Sequence, residues 1–421
     1  MKTLYCMPFE IIMAIFIEWT MLEWFAPAIA SQVCRCFKEI ADSTPRVWSK
    51  LTLSRRSRAT ADNVRVWLKR AKVAPKEICF EMQDISVLSA ALESAKDTTS
   101  LIYRINDIPP PEGDIIQLPK HLLQLRHLII DASDTHLFRV PSSIFGLYNN
   151  RTPDDHFPCL TTMRLFMVDL TNFNIVPGLF PVMRRLVLYL VDGPIMDLIT
   201  DCRKPLEDLR VIRCRSINSQ LYLHGRISLP NLKVLTVEAT QGIVPNLEAP
   251  TLRLLNANLD EGNTKPFPSV VEWVTRQSPD NLLSTDITTD ITSHLINMPR
   301  LQCLMLLQHI CTLVVCFGSL RDMPEICPDL QSIEVVDFVG IVPAFKLEEG
   351  FKAIFEVCVE RRAVNVPGFT LEFVEDRVQL ERLEQYHLGE VCLFIFMPRC
   401  LSYHASRDPL TRSKSRWKPL K

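Results

Sequence analysis

The stretch PNLKVLTV, residues 230–237, decides the fold of this chain. It sets a proline two residues ahead of an apolar side chain, Leu232, and then places Leu235 and Val237 in alternation. Alternation with a period of two is the mark of a strand with one buried face. The same pattern recurs as PCLTTMRL from 158, PVMRRLVL from 181, PTLRLLNA from 250, PRLQCLML from 299 and PDLQSIEV from 328, with a shorter variant, PLEDLRV, from 205. Their first apolar positions fall at 160, 183, 206, 232, 252, 301 and 330, so the gaps are 23, 23, 26, 20, 49 and 29, the largest being about two periods. LIYRI around Ile102 and LLQLRHLII around Leu125 read as earlier, degenerate copies.

A period of 20 to 29 residues with an LxxLxL core is the signature of leucine-rich repeats, here in an irregular form. Each unit contributes one short strand, and no unit buries its apolar side alone. The expected fold is therefore α/β: a curved parallel sheet over residues 76–375. Segments such as MDLITDCR and VVEWVTRQ are expected as short helices on its outer side. The proline ahead of each strand is read as stopping the preceding segment from staying helical. Side chains between the apolar strand positions point to the concave face. They make Arg164, Arg185, Arg210, Thr236, Asn256 and Glu334 candidate contacts for a target, with Phe166, Tyr189 and Glu238 just beyond.

Ahead of the repeat, MPFEIIMAIFIEW (7–19) is apolar enough to raise a secretion signal or a membrane span. Lys2, the run 11–17 and Ala28-Ile29-Ala30 fit a cleaved signal. Against it, Glu10, Glu18 and Glu23 lie in or beside an uncharged run of seven, far short of the roughly 20 residues of a span. Ile11, Ile12, Ile15, Phe16 and Trp19 lie along one helical stripe, with Pro8 suited to the first turn. SQVCRCFKEIA (31–41) reads as a second helix capped by Ser31, with Val33, Phe37, Ile40 and Ala41 on its apolar side. STPRVWSKLTL (43–53) reads as a third, with Thr44 as cap and Trp48 and Leu51 facing inward. Three short helices make a core too small for so many apolar side chains, which leaves a surface for a partner. A linker helix (54–75) with Val64, Trp67, Leu68 and Ala71 on one side joins this module to the repeat.

The ordered set Met7-Pro8-x-Glu10-Ile11, Ile15-Phe16, Ser31-Gln32-Val33-Cys34-Arg35, Ile40-Ala41 and Ser43-Thr44-Pro45-x-x-Trp48 resembles an F-box, in the version common in mushroom-forming fungi. Met7 and Phe37 stand where that motif usually has leucine and tryptophan. The resemblance implies docking onto the Skp-type adaptor of a cullin-RING ubiquitin ligase. It places Pro8, Ile11, Ile15, Phe16, Val33, Cys34 and Trp48 where the module packs or touches the adaptor. The implied role is that of a substrate receptor with an unknown target, cytoplasmic or nuclear. Two other readings stay open: a binding scaffold outside any ligase, and a secreted repeat protein with a cleaved N-terminal signal.

The remaining features are mostly exclusions. Basic and acidic residues number 47 and 48, so no global field steers the chain to nucleic acid or membrane. Fourteen cysteines show no CxxC pair, which points to thiols in a reducing compartment. No nucleophile elbow, phosphate loop, dinucleotide fingerprint or zinc-protease motif is present, so no catalytic residue, metal or cofactor is assigned. Asp154-Asp155-His156 reads as a hydrated turn rather than a metal site, and the sequon at Asn150 as chance. LQCLMLLQHICTLVVCFGSL (301–320), interrupted by polar residues, reads as a strand followed by a buried helix. LEEGFKAIFEVCVERR (347–362) is expected as a last helix and FTLEFVEDRV as a capping strand. Residues 376–421 are expected as an extension whose basic tail is solvated and partly disordered.

Overall fold

A computed structural model describes residues 7–54, 59–81, 85–94, 97–105, 122–133, 140–141, 157–171, 175, 177–215, 226–238, 240, 243, 246–257, 267–276, 291–307, 320, 323, 325–336 and 370–374. The chain divides into two compact units, Met1–Trp273 with Ser278–Thr289, and Val274–Gln277 with Asp290–Lys421. The sequon, the Asp154 cluster, the expected 347–362 helix and the basic tail lie outside the described residues, as does nearly all of the expected helix after residue 310.

The first unit opens with three helices, α1 (Phe9–Leu22), α2 (Ala26–Val33) and α3 (Arg35–Ser43), and a 3-10 turn at Pro45–Trp48. They are followed by β1 (Lys50–Leu53), α4 (Ala61–Ala71), β2 (Lys76–Phe80), α5 (Ile85–Ser94), β3 (Thr98–Arg104), β4 (His127–Asp131) and β5 (Val140–Pro141). Then come β6 (Thr162–Phe166), β7 (Val168–Asp169), β8 (Arg185–Tyr189), α6 (Ile195–Asp201), β9 (Asp208–Ile212), β10 (Ile227–Ser228), β11 (Val234–Glu238), β12 (Leu247–Glu248) and β13 (Leu254–Ala257). β1, β2, β3, β4, β6, β8, β9, β11 and β13 lie side by side in that order, every determined pair parallel. Neighbours in space are neighbours in sequence, as stacking of short units requires. The expected α/β class and parallel sheet are thus observed.

β14 (Glu272–Arg276) begins in the first unit, and the second holds α7 (Ile291–Ile296), β15 (Cys303–Leu307), β16 (Ser332–Val336) and β17 (Thr370–Val374). These last three strands pair in parallel in chain order. β17 falls in the expected capping strand. VVEWVTRQ, expected as a helix, is a strand: Val271 and Glu272 both donate to the Arg253 carbonyl, at 2.8 and 3.0 Å. Its Val274 and Trp273 are both buried, and β-branched and aromatic side chains fit a strand packed on two sides.

The backbone explains the prolines differently from the sequence reading. All but Pro205 lie in a four-residue turn closed by a bond from the fourth N–H to the first carbonyl, as in Leu160 to Phe157, Met183 to Phe180, Leu232 to Leu229 and Leu252 to Ala249, at 3.2–3.4 Å. Proline holds the second place, where its fixed φ suits a turn and its missing N–H costs nothing. The residues before it, Phe157, Phe180, Leu229 and Ala249, are buried, as are those that close the turn. Phe267-Pro268-Ser269-Val270 repeats this turn at 3.1 Å, so a copy at Val270 splits the gap of 49 into 18 and 31.

A second signature follows. Two successive N–H groups, those of 161 and 162, of 184 and 185, of 207 and 208, and of 233 and 234, share the carbonyl of the residue just ahead of the preceding strand, at 2.8–3.0 Å. After three strands stands a residue of positive φ: Met167 (55°), Leu190 (52°) and Arg213 (52°), each 23 residues from the next. Each turns its N–H onto the end of the following strand, at Tyr189, Ile212 and Glu238. This turn feeds small parallel pairings, β5 with β7 and the bridges Asp169 to Asp192 to Arg215. The helix expected in MDLITDCR is α6, and the carboxylate of its last residue, Asp201, accepts the N–H groups of Gly178 and Phe180.

Candidate functional site

Two surfaces come from the sequence. The first is the helical module. Its interior joins Ile12, Phe16, Ala30, Ile40, Ala41, Val47 and Trp48 to Ala71 of α4, with Trp67 packed against them. Trp48 donates its indole N–H to the Ala41 carbonyl at 2.7 Å and meets the Trp67 ring edge-on at 4.8 Å. Arg70 lays its guanidinium over Trp48 at 4.5 Å. Phe37 meets Phe16 edge-on at 5.3 Å. Burial of these rings and aliphatic chains is what holds the short helices, since none is long enough to be stable alone.

Two details of the helices differ from expectation. The second predicted helix is broken at Cys34, whose extended backbone ends α2 and caps α3, its sulfur accepting the Phe37 N–H at 3.4 Å. Ser31 is not a cap; its hydroxyl donates back to the Pro27 carbonyl within α2. The third predicted helix lasts one 3-10 turn, and Leu51 is buried on strand β1. β1 pairs in parallel with β2 from Lys50 to Leu53, directly after Trp48.

The seven residues of the F-box resemblance separate by exposure. Phe16 and Trp48 are 4% and 1% exposed and belong to the interior. Ile11, Ile15 and Val33 are 50%, 46% and 63% exposed. Pro8 is exposed at the N-cap of α1, and Cys34 is half-buried. Ile11, Ile15 and Leu22 run down the outside of α1, while Phe25, Ile29 and Val33 run down the outside of α2 at spacings of four. Phe25 and Ile29 were missed in the sequence, where 28–30 read as a cleavage-like site. Helical phase from the buried Ala26 and Ala30 identifies them.

The second candidate is a face of the sheet, and much of it is covered: Phe166, Val187, Arg210, Ile212, Thr236 and Asn256 are buried, against the expectation of open contacts, while Arg164, Arg185, Tyr189 and Glu238 are half-buried. Thr162, Arg164 and Phe166 share one side of β6, as do Arg185, Val187 and Tyr189 on β8, and Asp208, Arg210 and Ile212 on β9. Thr236 and Glu238 continue it on β11 and Asn256 on β13. Arg185 sits one row below Arg164 and Arg210, because Val187 occupies their row on β8. Asp208 lies 2.9 Å from Arg185 and accepts two bonds from Arg210, at 3.0 and 3.1 Å. Arg164 has no hydrogen bond or ion pair with any described residue, and its Nε is buried. Burial, then Arg185 and Arg210, lower the Arg164 pKa against a smaller opposing pull from Asp208. Phe166 and Tyr189 stand with ring centroids 6.1 Å apart. Glu334 keeps its place on β16, opposite Met305 and Glu372.

Among the described residues no group of histidine, cysteine and carboxylate side chains is placed to hold a metal ion, and no helix is long and apolar enough to cross a membrane. Burial and the charge of Asp201 push the Cys202 thiol up to about 12, far from the range of a nucleophile. No family model matches the chain, and no curated protein matches it.

Proposed function

We propose that this chain is a substrate receptor of a cullin-RING ubiquitin ligase, and that it does no chemistry itself. In this reading the N-terminal module is an F-box holding the Skp-type adaptor, and the parallel sheet is a leucine-rich-repeat domain holding a target protein. The supporting observation is the pair of apolar stripes on α1 and α2, left outside a module whose interior is already closed by α4. Exposed apolar side chains strung along two neighbouring helices are costly to leave in water and serve a partner that covers them. Of the residues the resemblance names, Pro8, Ile11, Ile15 and Val33 are the adaptor contacts in this reading, Phe16 and Trp48 hold them in place, and Cys34 ends one helix and starts the next.

The module is also anchored. Trp48 and Trp67 stack it on α4, and Lys50 donates to the Met21 carbonyl at the end of α1. A target held on the sheet would therefore keep a set distance from the adaptor, which favours transfer to a fixed lysine by proximity. The test is capture of a purified Skp-type adaptor by wild type, Ile15→Asp and Val33→Asp, each checked for an unchanged melting temperature. Wild type should retain the adaptor and both variants should lose it. Failure of wild type to bind, or retention by both variants, removes the ligase role.

A further inference from the structure

We infer that the sheet face around Arg164 receives a carboxylate from an acidic, partly apolar segment of the target. The inference rests on the reading above only in taking this face as the target surface. Arg164 carries it. Its stem lies between Ile129 of β4 and Val187 of β8 in one row, with Phe166 two residues along its own strand. Its neighbours in charge are two more guanidiniums, Arg185 and Arg210, and Asp208, the carboxylate beside them among the described residues, is engaged by those two. A half-buried cation placed beside like charges with no partner opposes folding. What such a position gains is a ready fork for an incoming anion, since a guanidinium meets a planar carboxylate with two parallel bonds.

The surroundings narrow the anion. β6, β8 and β9 span about 10 Å at ordinary strand spacing. On either side the Arg164 row turns apolar at Ile129 and uncharged at Thr236 and Asn256. A nucleic-acid backbone needs cations along a track, and this patch is one anion wide. Thr236 adds a second signal: it is almost wholly buried beside Arg210, and its hydroxyl has no partner among the described residues. Tyr189, half-buried and held against the buried Phe166 ring, offers an aromatic edge on this face, suited to an apolar side chain adjoining the acid.

The probe is a fluorescein-labelled ten-residue peptide of alternating leucine and glutamate, followed by anisotropy on the full chain. Controls are the same peptide with glutamine or phosphoserine for glutamate, and a ten-nucleotide single-stranded RNA. The glutamate peptide should bind, more weakly as salt rises. Binding should fall at least about tenfold with the glutamine peptide and with Arg164→Gln. Arg65→Gln, on the exposed side of α4, should bind as wild type does. Arg164→Gln should melt at or above the wild-type temperature, whereas an arginine kept for structure would melt lower. Absence of glutamate-peptide binding overturns the inference, as does equal binding by Arg164→Gln or by the glutamine peptide. So does tighter binding, by about tenfold, of the phosphoserine peptide or the RNA. Adaptor capture is read separately, so loss of the ligase role and loss of this site are distinguishable.

Discussion

Single residues set the geometry of the turns between strands, and Gly193 is the sharpest case. It has φ 131°, and a Cβ built on it would stand 2.6 Å from the backbone carbon of Leu170, in the unit before. A backbone atom cannot yield as a side-chain tip can, so Gly193→Ala should cost at least about 1–3 kcal/mol, read as a drop in denaturation midpoint. An unchanged midpoint would mean the two turns do not approach so closely. This glycine is legible as a turn residue in the sequence; the contact is not, because Leu170 lies 23 residues away. Met167, Leu190 and Arg213 were less legible still. Positive φ usually selects glycine or asparagine, and here the bonds to the following strand hold ordinary side chains there. The turn after these strands is thus set by a backbone device with no residue signature. The lone state of Arg164 is likewise a product of register: its partner on β8 is Val187, while Arg185 pairs one row below with Thr162.

At the level of the element, α1 shows how an apolar sequence divides between packing and display. Ile11 and Ile12 are chemically identical neighbours, yet one is half exposed and the other closes the interior with Phe16. Ile12→Ala should therefore cost about 2–4 kcal/mol, against less than about 0.5 kcal/mol for Ile11→Ala. The fluorescence of Trp48 and Trp67 in a urea titration would report both. Equal costs would mean that Ile11 is also covered, and would remove the α1 stripe as a docking surface. The sequence located α1, α4 and the repeat strands because their apolar periods run over several turns or copies. It failed at 31–53, where the elements are short. There a cysteine cap divided one expected helix, and pairing with β2 converted the end of another into β1. It also failed at 271–276, whose apolar spacing Val270, Trp273, Val274 fits a helical face as well as a strand buried on both sides. The turn at Phe267-Pro268 carries the deciding signal.

In the first unit as a whole, the helical module and the repeat are parts of one stack. β1 is the first strand of the sheet, with no strand beyond it among the described residues, and a parallel edge beside exposed apolar side chains invites association with another chain. The module meets that end: the 3-10 turn at Pro45–Trp48 leads into β1, and Trp48, Phe16 and Ile40 cover Ala71 and Trp67 of α4. Repeat arrays require such end units, because each inner unit relies on a neighbour to bury its apolar side. If the module is the end unit as well as the docking surface, the two roles separate by substitution. A chain lacking residues 1–48 should bare β1, Trp67 and Ala71 together, and should elute as oligomers in size-exclusion chromatography with light scattering at micromolar concentration. Ile15→Asp, which alters only the outside of α1, should elute as the wild-type chain does. A truncated chain of unchanged association state and melting temperature would show that the sheet closes its own end. The three helices would then be an appendage, and the fixed distance from adaptor to target would lose its structural basis.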